Sequence, residues 1–316
     1  MSQTRKQKVL EDVKRARRRR TLATSVIVAV LMVGIVVAAI LLTGHSPTPP
    51  TPNGLIGAPI STALYNQLNG VSDSTLLTAQ PDPGVVTPLK SESGPLLTFA
   101  GKTEVLYIGA EYCPYCAAER WSLVVALSKF GSFSGLTYMQ SADSPEIYPD
   151  TSTVSFHTAT YTSPYISFVS VEEQDRNHNP LQSTTPDQQS LLNKYDPQGA
   201  IPFVDIANLN VTYNGGSQFS PGILSGMNWT QIGSQLDNLN TPVAKAVDGA
   251  ARNLISAICK ADGSTPASLC GQTFNPPSMA PPTISNLPPS RTDTAIITSE
   301  IYRAGSSWRN SPRPTS

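Results

Sequence analysis

The chain has 316 residues, with 22 Lys+Arg against 22 Asp+Glu and a formal net charge of zero. Nine of the basic side chains fall in residues 1–20 beside two acidic ones, which leaves 13 basic against 20 acidic residues over 21–316, a net of −7. A nucleic-acid-binding body needs a basic face, and an acidic body excludes nucleic acid as a partner. Four cysteines and three histidines are too sparse for a metal-rich or disulfide-dense scaffold.

Residues 1–20 are a basic segment ending in the run Lys14–Arg20. After Arg20 no charged residue appears until Asp73, and Leu22–Leu42 is almost wholly apolar. Its 21 residues, at ~1.5 Å each, give ~31 Å, which matches a bilayer core of ~30 Å. We therefore expect a transmembrane helix over 21–43 in contact with bilayer lipid. Basic residues are retained in the cytoplasm, so the protein is expected to be single-pass in the cell membrane, with its C-terminal domain extracytoplasmic. A cleaved signal peptide is the alternative, but its apolar region is usually shorter and ends at small residues, whereas Ala38 and Ala39 lie inside this run. Residues 44–57 read as a Pro-rich linker.

A domain is expected over 58–271. Ile60, Leu64 and Leu68 share one face of a short helix, and Gln80–Pro95 is loop-like, with four prolines. Glu104–Gly109 reads as a buried strand that ends at a glycine. Ala110–Phe130 has helix spacing, with Trp121, Val124, Val125 and Leu127 as an apolar stripe. Leu136–Met139 and Tyr165–Val171 are further strand candidates. Thr185, Pro186 and Gln188 form a helix start. Ala200–Ile206 and Leu209–Tyr213 read as a strand pair turning at Ala207-Asn208. Asn228–Leu236 and Thr241–Lys260 read as closing helices, and residues 272–316, with eight prolines, as a disordered tail. Strands separated by helices predict an α/β fold, a mixed sheet flanked by helices with a hairpin at one edge.

The chemistry sits at Cys113-Pro114-Tyr115-Cys116, between a buried strand and the first turn of a helix. The free N–H groups and dipole of a helix N-terminus favour an anion, so Cys113 is the candidate attacking thiolate. Cys116, on the same side of the turn, is the candidate resolving thiol. The competing readings are a static disulfide and half of a zinc site. Zinc needs four ligands, and no second closely spaced Cys/His pair exists, so we expect no metal and no cofactor. A bridge across two residues constrains little loop entropy, which weakens the static reading. Cys259 and Cys270, separated by ten residues, are expected as a structural disulfide, because each local pairing is favoured among the three connectivities in an oxidising compartment. Asn210-Val-Thr and Asn228-Trp-Thr match the glycosylation pattern, a triplet that also arises by chance.

A strand leading into CysProTyrCys, with IleProPheVal (Ile201–Val204) before a late strand, resembles the thioredoxin superfamily. The resemblance implies a thioredoxin-like fold, a cis bond before Pro202 facing the dithiol, and substrate binding by Ile201 and Pro202, to which we add Tyr115. More closely, Tyr107–Trp121, Asn193–Asp196 and Pro242–Ala246 look like a membrane-anchored prokaryotic family labelled domain of unknown function 929, over roughly residues 58–271. One position departs from many thioredoxins: six residues before Cys113, where they carry a buried acid, stands Tyr107. Glu111 and Glu119 are expected as solvated charges, and Arg120 as a cation that favours the thiolate. The function expected is a thiol–disulfide oxidoreductase acting on extracytoplasmic protein thiols or disulfides, with a membrane redox partner if it reduces. The alternative is a redox-inactive thioredoxin-like binding or surface module, with the long segment between Met139 and Ala200 as recognition surface.

Overall fold

The computed structural model describes residues 53–272 except 213–215 and 264. The basic segment 1–20, the expected transmembrane helix 21–43, residues 44–52 of the linker 44–57 and all but the first residue of the tail 272–316 lie outside the described residues. Among the described residues no helix is long and apolar enough to cross a membrane. The described residues fall in one unit, and a second, 275–316, lies outside them.

Helices α1 (Thr62–Asn69) and α2 (Asp73–Thr78) open the fold, each with a serine cap: Ser61 accepts from Leu64 N–H and Ser72 from Thr75 N–H. Such a cap satisfies a donor that the first turn leaves orphaned, typically for ~1 kcal/mol. Leu64 and Leu68 are buried one turn apart. Strands β1 (Lys90–Ser91), β2 (Thr98–Phe99) and β3 (Lys102–Gly109) lead to helix α3 (Pro114–Leu127). Next come β4 (Ser132–Ser134), β5 (Thr137–Gln140), β6 (Ser152–Ser155), β7 (Thr160–Thr162) and β8 (Ile166–Glu172). Helix α4 (Pro186–Tyr195) starts on the full Thr185/Gln188 capping box. Strands β9 (Phe203–Ile206) and β10 (Asn210–Val211) precede α5 (Trp229–Gly233), α6 (Pro242–Ala261) and α7 (Ala267–Cys270).

The main sheet is mixed, and β3 is its centre. β8 runs parallel on one side of β3 and β9 antiparallel on the other, followed outward by β10 and β1. The two faces of β3 feed different cores. Val105 and Tyr107 join the large core shared with α3 and α6, while Leu106 and Ile108 join a smaller one with Leu192 of α4 and Phe203. A sheet covered on both faces needs the unbroken apolar run that β3 shows. The late hairpin turns at Ala207 and Asn208, both at positive φ, but β1 lies outside it, so the hairpin is not the edge.

The strand expected at Leu136–Met139 forms as β5 but pairs with β6 outside the main sheet, and β4 pairs with β7 in a third ribbon. β6 is the polar Ser-Thr-Val-Ser, yet all four residues are buried. Its polar groups face partners rather than water: Trp121 Nε1–H donates to the Ser152 carbonyl at 2.9 Å and Thr153 Oγ1 to the Ala117 carbonyl at 2.8 Å. These bonds fasten the ribbon to α3.

Candidate functional site

β3 ends at Gly109, and the turn Ala110–Tyr112 swings the chain into α3, which begins at Pro114 with Cys113 as its N-cap. Cys113 is extended (φ −78°, ψ 122°), and its sulfur accepts the Cys116 backbone N–H at 3.2 Å. The sulfur thus does what a serine or aspartate oxygen does at an ordinary cap, and Pro114 stands where a missing N–H costs nothing. Both cysteines are free thiols, Cys113 with 6 % relative exposure and Cys116 with none.

The chain returns to this point 88 residues later. Cys113 Sγ lies 3.8 Å from the Ile201 carbonyl oxygen, and the Ile201–Pro202 peptide just before β9 is cis. Thr212 fixes the approach, since its hydroxyl donates to the Pro202 carbonyl at 3.3 Å and accepts the Val204 N–H at 3.0 Å. Tyr115 is half-exposed and packs edge-on against Tyr148, with centroids 6.2 Å apart. The segment carrying Tyr148 is tied to the site by the Ala142 N–H, which donates to the Tyr112 carbonyl at 2.8 Å. The Tyr112 ring also lies 4.1 Å from that of His178.

The two thiols titrate in opposite directions. Cys113 is lowered by the hydrogen bond from the Cys116 side chain, by the N–H groups of Cys116 and Tyr115, and by the Arg120 guanidinium, against the opposing effect of burial. Burial pushes Cys116 well up. A thiol lowered in pKa paired with a fully buried resistant one is the division of labour that disulfide exchange needs, although Cys113 is itself buried at 6 % exposure.

Glu111 and Glu119 are buried, not solvated. Glu119 lies inside the buried α3 and Glu111 in the buried turn before it, and both are held by hydrogen bonds: Glu119 accepts from Gln218 N–H at 2.8 Å and Nε2 at 3.0 Å, and Glu111 from Ser155 Oγ at 2.5 Å. Burial raises both pKa values. Arg120 is fully buried and pairs in a bidentate fork with Glu172, at 2.9 Å from Nε and 2.7 Å from Nη2. Glu172, the residue in register with Gly109 on β8, escaped the sequence reading, because nothing local links it to an arginine 52 residues earlier.

Cys259 and Cys270 are joined by a disulfide that ties α6 to α7. Among the described residues no group of three or more His, Cys, Asp or Glu could hold a metal ion. Asn228, in one of the two glycosylation triplets, is buried as the N-cap of α5.

No curated protein and no solved structure matches the chain. Residues 91–214, which hold both free thiols and Ile201–Pro202, match the family model described as Domain of unknown function (DUF929).

Proposed function

We propose that the chain is an extracytoplasmic thiol–disulfide oxidoreductase with a thioredoxin-like domain, anchored through residues 21–43. A single observation carries the reading: the Cys113 sulfur caps α3, accepts the Cys116 N–H, and lies 3.8 Å from the Ile201 carbonyl. The parallel β3–β8 pair and the antiparallel β9 after Ile201–Pro202 support the thioredoxin-like assignment. The Cys259–Cys270 disulfide fits an oxidising compartment.

In the reducing direction the Cys113 thiolate attacks one sulfur of a protein disulfide. That S–S bond breaks, a mixed disulfide forms, and the leaving thiolate takes a proton from water. Cys116 then attacks the Cys113 sulfur, its proton passing to the substrate thiolate that departs. The 113–116 bond forms, the second substrate thiolate departs, and two electrons have passed to the substrate. The reverse sequence oxidises a dithiol. Ile201 supplies backbone for a substrate strand, with Pro202 and Tyr115 beside it. A membrane redox partner returns electrons if the protein reduces.

Cys116→Ala should trap a mixed disulfide with extracytoplasmic proteins, visible on a non-reducing gel and lost in Cys113→Ala. Absence of any adduct in Cys116→Ala contradicts the enzyme and leaves a redox-inactive binding module, a reading that the 6 % exposure of Cys113 favours.

A further inference from the structure

We propose that Tyr107 and Arg120 form an anion hole for the Cys116 sulfur, donating hydrogen bonds to it when it leaves the 113–116 disulfide as a thiolate. The proposal rests on the redox reading of the dithiol. When a substrate thiolate attacks Cys113, a new S–S bond forms there, the bond to Cys116 breaks, and its electron pair stays on the Cys116 sulfur. That sulfur has no exposure at all. An anion released into a dry site needs donors already in place.

Two unused donors are present. Tyr107 Oη and Arg120 Nη1 are both buried, and neither has a hydrogen-bond partner beside the reduced dithiol. An orphaned buried donor is costly, so two of them, one beside Cys116 and one a helical turn beyond it, call for an explanation. Gly109 brings the Tyr107 hydroxyl to the sulfur. A Cβ on Gly109 would collide with that hydroxyl and come within 3.1 Å of Cys116 Sγ, so the missing side chain leaves both groups around one point. Arg120 follows Cys116 by one helical turn on α3, on the same face. Its Nε and Nη2 are committed to Glu172 and to the Ala110 carbonyl, which fixes the guanidinium plane and leaves Nη1 as its one unpartnered nitrogen.

The ionisable groups that act on this sulfur are Cys113 and Tyr112 before α3, Tyr107 on β3 and Arg120 on α3, with Glu172 of β8 behind Arg120. Burial holds the Tyr107 phenol protonated well past its ordinary range, so it remains a donor. The Ala110 N–H and the Arg120 charge also favour the Cys116 thiolate. A phenol thus stands where many thioredoxins carry an acid, stabilising the anion instead of exchanging a proton with it.

The test uses the full chain in detergent with Cys113→Ser, which leaves Cys116 as the one free thiol, labelled with ¹³C at Cβ for titration by NMR. Adding Tyr107→Phe should raise the Cys116 midpoint by about one to two units, the worth of a hydrogen bond to a charged group. An unchanged midpoint overturns the anion hole, as expected if Tyr107 only fills space. If the Phe variant does not fold, 2,3-difluorotyrosine at 107 offers a stronger donor of nearly the same volume. It should lower the midpoint, and no shift again overturns the proposal. The titration needs no turnover. A shifted midpoint without any mixed disulfide removes the oxidoreductase alone, and a mixed disulfide with an unshifted midpoint removes the anion hole alone.

Discussion

The Arg120 guanidinium holds the Glu172 carboxylate through two hydrogen bonds, one from Nε and one from Nη2, with both side chains fully buried. The pair places a cation one turn from Cys116 and supplies the countercharge that lets it stay there.

Removing that countercharge should be expensive. Glu172→Gln leaves a buried arginine uncompensated and is expected to lower stability by about 3–5 kcal/mol, measured by urea denaturation. A loss below about 1 kcal/mol would mean that water reaches the guanidinium.

Cys113 should alkylate selectively. Its pKa is lowered, first by the hydrogen bond from the Cys116 side chain, and Cys116 is raised by burial. Iodoacetamide rates followed by mass spectrometry should show Cys113 reacting with a midpoint below ~8.5, the value of a free cysteine. Cys116 should stay unmodified until the protein unfolds. A Cys113 midpoint at or above ~8.5 would contradict a poised thiolate.

Stability should fall as pH rises from ~4 to 7. Burial raises Asp205 and Asp248 to about 7 in the fold, against ~3.9 in an unfolded chain. Between these values the folded state holds protons that the unfolded state has released, so their stabilising contribution is complete below ~4, shrinks up to 7, and is lost above it. Both Asp248 oxygens lack hydrogen-bond partners. Asp248→Asn should therefore flatten part of the slope in melting temperature against pH, and an unaltered slope would show that this carboxylate is hydrated.

The Cys259–Cys270 bridge closes a loop of 12 residues. On the chain-entropy model Cys259→Ala with Cys270→Ala costs about 3 kcal/mol, readable by calorimetry. The 113–116 thiols should remain chemically unchanged, because they are free and sit at the start of α3, while the bridge joins α6 to α7.

Local signals made much of this visible in the sequence. Pro114 after Cys113, the Thr185/Gln188 box and the Thr241 cap before Pro242 each act within one helical turn, so the helix starts could be read directly. The apolar run Val105–Ile108 announced a buried strand. Long-range pairing was hidden. β6 reads as a polar loop because its serines and threonines are satisfied by Trp121, Ala117 and Glu111, none of them near in sequence. α3 showed one apolar stripe but is packed all round, so Glu119 and Arg120 are interior groups whose partners lie in distant segments. Glu172 became legible only once β8 lay in register with β3.

The reduction potential of the Cys113–Cys116 pair, from equilibration against glutathione with mass-spectrometric readout, tests the redox claim most directly. Exchange enzymes lie between about −270 and −120 mV, and structural disulfides below about −300 mV. The account predicts a value inside the first range. A pair that never oxidises, or one poised below about −300 mV, would contradict it.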